Sequence, residues 1–382
     1  MKPKISFDVS GLAWKYKSGV QNLVWAYVMA FIENPELYEK CEVLFYDRTG
    51  LYNKELAQIA KTYYSSMAPS WWPRKLTKLL RLVDRYNFIP KPNISGSINH
   101  VNNWNIYHKR NARASITIPD ILPLEYPEWF DRQFIKQTEN SLLFAKNEAE
   151  FVFCISEYVK QKLVEKCGIQ ANRINVAYPG IAPTFFTPVS HELQNDVLEK
   201  YGLEKERYVI SSGYLDPRKN LKRQIEAFHI FAGRTNSEIK YVLTGAKTAL
   251  SHEILSMIDS PDLRERILFL GYVSSDDLRV LIGASACVMY CSLAEGFGLP
   301  IIEAMAMNRM VITSDTTSMT EIGRGRAILV NPIDVEDMAK AIGRVIEIST
   351  SEKQVITKKN HDYAREFTIA NWMQSHVKKM LD

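Results

Sequence analysis

Short apolar runs recur along the chain, each followed by a turn residue and then by an amphipathic stretch. This alternation predicts βα units feeding parallel sheets. ISFDV (Ile5–Val9), VLFY (Val43–Tyr46), SITI (Ser115–Ile118) and FVFCI (Phe151–Ile155) form a first series of strands. Between them, Val20, Val24, Tyr27, Val28 and Phe31 fall at helical spacing and predict a helix over Val20–Ile32. A second series begins at YVISSG (Tyr208–Gly213) and runs through YVLTG, ILFLG, CVMY, MVIT and AILV, with helical patterns such as Leu221–Phe231 and Asp276–Ile282 between the strands. The aromatic, Pro-rich connection YPGIAPTFFTP (Tyr178–Pro188) separates the two series. The chain therefore reads as an α/β protein of two doubly wound, Rossmann-like domains. The first covers residues 1–184 and the second 185–363. A helical segment with no strand after it, about residues 364–382, joins the first domain and lies across the two.

Composition narrows the function. With 382 residues, 46% hydrophobic and 24% charged, the chain can bury the cores of about two globular domains. A net charge of +5 suits an anionic ligand or membrane surface and excludes the basic excess of a nucleic-acid-binding protein. Cys41, Cys154, Cys167, Cys287 and Cys291 are odd in number and lack paired CxxC spacing, so neither a disulfide framework nor a zinc site is expected. The N-terminus runs into a strand pattern without an apolar leader, and no stretch has the roughly 18 apolar residues of a membrane span. A cytoplasmic protein is expected.

Candidate chemistry concentrates in CVMYCSLAEGFGLPIIEAMAMNRMVITSD (Cys287–Asp315). A buried strand ends near Ser292, a turn carries Glu295, Gly296, Phe297 and Gly298, and Pro300 stands where the first turn of a helix accepts proline. Backbone N–H groups at such a helix start, with the positive end of the dipole, suit a diphosphate. Glu303 lies eight residues after Glu295, one turn inside the helix, where its carboxylate can accept from ribose hydroxyls while Glu295 reaches a hydroxylated sugar. A second element, YVISSGYLDPRKNLKRQIEAF (Tyr208–Phe228), places Gly213 after a strand and Arg218 and Lys219 at the start of a helix. Both cations then serve the same anion site, where they stabilise charge on a leaving diphosphate. No DxD motif stands at a strand end to hold a metal. The absence of GxGxxG after the first strand lowers a nicotinamide-dependent reading.

EGFGLPIIEAMA resembles the EX7E signature of the retaining glycosyltransferases of family 4, which have the GT-B fold of two Rossmann-like domains facing a cleft. The resemblance implies that Glu303 holds the donor ribose, that Phe297, Gly298 and Leu299 present backbone to phosphate and sugar, and that Glu295 contacts the donor hexose. GYLDPRKN looks like the G-x-L-x-P-R-K-N stretch of a branch related to mannosyl- and other O-antigen or exopolysaccharide transferases. RILFLGYVSSDDL resembles the segment whose backbone, near Tyr272 and Val273, receives the nucleobase. SDTTSMTEIGRGRAILVNPID is similar to the family's S-x-x-S-x-P-E stretch, with Thr320 in place of proline. In the N-terminal half the likeness rests on Asp8, on the Ser18-Gly19-Val20 turn with Gly19 as a substrate contact, and on TIPDILPLEYPEWF. Relatives commonly carry T-x-H-D-L in that last segment. Here Pro119 replaces the histidine, leaving Asp120 as the candidate beside the reaction centre. His100 and His108 read as loop residues exposed at the surface.

The branch implies GDP-mannose as co-substrate, with no metal or other cofactor. The acceptor it implies is a glycan on a lipid carrier such as a polyprenyl diphosphate. Trp71–Arg85 fits this: Trp71 and Trp72 precede Arg74, Lys75, Lys78, Arg81 and Arg85, with leucines interleaved, a pattern able to lie on the anionic inner face of the cytoplasmic membrane. The alternatives are transfer from a UDP-sugar or to a soluble sugar acceptor, and a non-catalytic protein that only binds nucleotide-sugars.

Overall fold

The computed structural model describes residues 4–8, 28–30, 41–46, 97–102, 113–235, 238–248 and 251–382. Within these, residues 28–30 of the predicted first helix are helical; Gly19, His108 and Trp71–Arg85 lie outside the described residues. The chain divides into two compact units, one of residues 1–125, 130–180 and 369–382, the other of residues 126–129 and 181–368. The boundaries thus fall at Gly180/Ile181 and Thr368/Ile369, with residues 126–129 grouped with the second unit.

The first unit is built on the strands β1 (Lys4–Asp8), β2 (Glu42–Tyr46), β3 (Ser97–Asn102), β4 (Arg113–Ile118), β5 (Phe151–Cys154) and β6 (Ile174–Val176), all parallel in the order β2-β1-β3-β4-β5-β6. Ile5, Phe7, Ile116, Ile118, Val152 and Phe153 are buried, as a sheet covered on both faces requires. Two of its strands are missing from the hydrophobic pattern: β6 has three residues, and β3 reads SINHVN. A polar strand can occupy the middle of a sheet only if its buried polar groups are paired. His100 meets this condition, and it corrects the reading of that residue as an exposed loop histidine. It is fully buried in β3, with Nδ1 2.9 Å from Ser115 Oγ and Nε2 3.2 Å from Thr117 Oγ1. Thr117 Oγ1 also lies 3.1 Å from Nε2 of His376, whose Nδ1 is 2.9 Å from the Trp372 carbonyl oxygen. His376 and Trp372 belong to the helix Ile369–Leu381, so the last helix of the chain completes the core of the first unit.

The second unit carries β7 (Tyr208–Ser212), β8 (Lys240–Thr244), β9 (Ile267–Gly271), β10 (Cys287–Tyr290), β11 (Met310–Ser314) and β12 (Ile328–Val330). These are parallel in the order β12-β11-β10-β7-β8-β9. Numbered within the unit this is the 3-2-1-4-5-6 order of dinucleotide-binding folds, whose ligands sit outside the carboxyl ends of the strands where the order reverses. The reversal lies between β7 and β10. The helix Leu221–Thr235 buries Ile225, Phe228 and Phe231 against this sheet together with Met338 and Ile342 of the helix Val335–Glu347. Cys287 and Cys291 are fully buried within the same unit.

Candidate functional site

The loops leaving β7 and β10, on either side of the strand reversal, carry Arg218, Lys219 and Glu295, and the helix after the second loop carries Glu303. Their approach begins with a backbone contact. Gly213 ends the exit of β7, and Gly245 ends that of β8; a Cβ on Gly245 would lie 1.9 Å from the Gly213 carbonyl oxygen. Asp216 then caps a short turn, Pro217–Lys219, by accepting from Arg218 N at 3.0 Å. Asn220 follows with φ +59°, a left-handed conformation that Asn tolerates. Its Nδ2 donates to the carbonyls of Cys291 (3.1 Å) and Pro332 (2.6 Å), fixing the turn to the exits of β10 and β12. Gln224 donates to the Lys219 carbonyl at 2.5 Å, and Leu293 N to that of Arg218 at 2.7 Å.

These ties converge on one cluster of charge. Arg218 Nη1 donates to Glu295 Oε2 at 2.8 Å, and Lys219 Nζ donates to Glu295 Oε1 at 2.6 Å and to Tyr290 Oη at 2.6 Å. The Glu295 side chain is 8% exposed, Lys219 12% and Arg218 24%, so the cations stand in a site of low dielectric with one carboxylate as shared counter-ion. Burial alone would raise the Glu295 pKa, but Arg218 and Lys219 overcome it and hold the carboxyl at about 2. Burial lowers the pKa of Lys219, with Glu295 opposing. The strand reversal thus brings together Gly213, Arg218, Lys219 and Glu295. Glu295 is first of all the partner of the two cations, a role its spacing from Glu303 did not disclose.

The turn after Glu295 is held from behind. Thr317, itself at φ +54°, accepts from Glu295 N at 3.2 Å, and Ser318 Oγ donates to the carbonyls of Glu295 (2.9 Å) and Phe297 (3.0 Å). A β-branched residue at positive φ is strained and persists only where surrounding contacts determine it. The Phe297 side chain is buried, its ring centroid 5.8 Å from that of Phe367. Gly298, at φ +108°, opens the helix Leu299–Ala306, whose start has no side-chain cap. An uncapped helix start leaves N–H donors and a positive dipole end for an anion.

Glu303 lies within that helix and is partly exposed. Burial pushes its carboxyl up to about 7, with the charge of Lys219 opposing. Ribose hydroxyls donate to the ionised form, so a nucleotide-sugar held by Glu303 should bind more tightly as pH rises through about 7 and level off above it. Titration calorimetry with a nucleotide-sugar, whose diphosphate has no proton to gain near neutrality, should show about tenfold weaker binding for each unit below that point. The dependence should vanish in Glu303→Gln; the same dependence in that variant would show that another group titrates.

Tyr272 and Val273 follow β9, the first largely exposed and the second buried. Asp120 lies in the first unit after β4. There its Oδ1 accepts from Leu122 N at 3.0 Å and caps the helix Leu122–Glu125. Sequence reasoning missed Tyr290, Asn220, Gln224, Thr317 and Ser318. Only Asn220 carried a signal, as an Asn in a turn directly before a helix.

Residues 194–362 match the family model described as glycosyl transferases group 1. O-antigen chain mannosyltransferase B of Escherichia coli is 27% identical over 274 residues, 72% of this chain and 71% of the relative. The O-antigen chain mannosyltransferase RfbU of Salmonella typhimurium is 25% identical over 262 residues, 68% and 69% of the two chains. Anabaena HepE, solved in complex with UDP and glucose, superposes with a TM-score of 0.71 at 16% identity over 99% of both chains. A sucrose-phosphate synthase from Thermosynechococcus elongatus gives 0.71 at 17% identity, again over 99% of both. At such identity these last two likenesses speak to fold.

Proposed function

We propose that this chain, a GT-B glycosyltransferase with a group 1 domain over residues 194–362, transfers mannose from GDP-mannose to a glycan acceptor in surface-polysaccharide synthesis. The observation that carries the reading is the pairing of two cations with one carboxylate beside an uncapped helix start at the strand reversal. A donor diphosphate placed there meets Arg218, Lys219 and the N–H groups before Leu299, while Glu303 accepts from the ribose. As the glycosidic bond breaks, negative charge grows on the diphosphate and the cations stabilise it more than they stabilise the bound donor. The acceptor hydroxyl attacks from the face the diphosphate leaves, and a phosphate oxygen takes its proton, so configuration is retained and no metal ion is needed. Tyr272 and Val273 would receive the base, and Glu295 a hexose hydroxyl.

Mannose rests on the names of the E. coli and Salmonella relatives. A UDP-sugar is the second reading, favoured by the UDP and glucose bound to HepE. The acceptor we propose is a glycan on a polyprenyl diphosphate, met at the inner face of the cytoplasmic membrane through Trp71–Arg85. Among the described residues no helix is long and apolar enough to cross a membrane.

A thermal-shift series with GDP-mannose, UDP-glucose and the free nucleotides tests the donor, since a ligand of the folded state raises Tm. The largest shift should come from GDP-mannose, followed by transfer that retains the anomeric configuration. A larger shift with UDP-sugars would replace the donor, and binding without transfer would leave a nucleotide-sugar-binding protein. Failure to float with anionic vesicles at low salt would favour a soluble acceptor.

A further inference from the structure

We propose that Tyr290 is a positioning residue for the transfer, its phenol oxygen holding the Lys219 ammonium where the leaving diphosphate develops charge; this rests on the role given to Lys219 above. Tyr290 is the last residue of β10, in a strand reading CVMY whose other side chains are apolar. It is 4% exposed, and its Oη accepts from Lys219 Nζ at 2.6 Å. A buried ammonium needs acceptors for its protons. Lys219 has two, Glu295 and Tyr290, and they act differently. Glu295 also binds Arg218 and so sits between two cations, whereas the phenol oxygen is a neutral acceptor directed at Lys219.

The path of the lysine leaves it little freedom. Its Cε would lie 3.3 Å from a Cβ on Gly213, so the stem crosses Gly213 closely. The Tyr290 ring also reaches the helix start: its Cε1 would lie 3.7 Å from a Cβ on Gly298. One aromatic side chain therefore binds the cation through its oxygen and lines the space where a side chain at Gly298 would stand. Burial raises the phenol's pKa well above the ordinary tyrosine value, with Glu295 adding to it, so the oxygen remains a neutral acceptor throughout the working pH range.

Tyr290→Phe keeps the ring and removes the oxygen. We expect kcat to fall about tenfold, the worth of one hydrogen bond to a charged group, with donor KM within about twofold of wild type. Loss of an acceptor disfavours the ammonium, so the alkaline limb of the kcat profile should move to lower pH. In a Lys219→Met background the same change should alter kcat less than about twofold, because the partner is gone. Full additivity in this double-mutant cycle would overturn the inference, as would a Tyr290→Phe enzyme with wild-type kcat and pH profile. Should Lys219→Met itself keep wild-type kcat, the reading of Lys219 falls instead; a slow Lys219→Met beside a normal Tyr290→Phe sinks the Tyr290 role alone.

Discussion

Lys219→Met should lower kcat by about two to three orders of magnitude while leaving donor KM nearly unchanged, the range for losing one preorganised donor to developing negative charge. The size follows from placement. Lys219 is the more enclosed of the two cations, its charge is little screened, and its position is set by Gly213, Tyr290 and Glu295 before any donor arrives. An interaction already in place needs no reorganisation during the reaction, so it acts on the barrier. Arg218→Met should follow with a smaller loss, since the guanidinium is more exposed and also lies 3.7 Å from Asp216. Steady-state kinetics with the donor varied decides the matter: a rise in KM at unchanged kcat would make both residues binding groups only.

Glu295→Ala should destabilise the second unit by about 3–5 kcal/mol, because it removes the carboxylate that both enclosed cations share and leaves, among the described residues, only Asp216, 3.7 Å from Arg218, as an ion-pair partner. For a unit of this size roughly 2–4 °C of Tm goes with each kcal/mol. The pH dependence has a definite sign. The folded-state pKa of Glu295, at about 2, lies below the usual carboxylate value, so its contribution is present above that ordinary value and is lost as pH falls toward about 2. The stability gap between wild type and Glu295→Gln should narrow over that interval. A nucleoside diphosphate supplies an anion where the variant lacks one, and should therefore raise its Tm more than that of wild type. Equal ligand shifts in the two proteins would mean that the diphosphate does not meet these cations.

The inner strands of the second unit, β7, β8, β10 and β11, were legible because they are buried almost throughout and so spell apolar runs, and the EGFGLP turn because Gly298 and Pro300 have local geometric reasons to stand there. The links between loops were not legible. Asn220 binds Cys291 and Pro332, Thr317 supports Glu295, and Lys219 finds Tyr290 seventy-one residues away; no local pattern encodes such pairings. β3 was hidden for a related reason. Its polar character looked like a loop until His100 could be matched with Ser115 and Thr117 of the neighbouring strand.

The hydrogen bond from Thr117 to His376 also has a bearing on the order in which the chain is completed as it leaves the ribosome. Apart from residues 126–129, the second unit is one uninterrupted stretch, residues 181–368, and can close its sheet as soon as that stretch emerges. The first unit begins earlier and ends later. Its core stays open beside Phe153 until Trp372 and His376 arrive, so the half synthesised first is the half that is finished last.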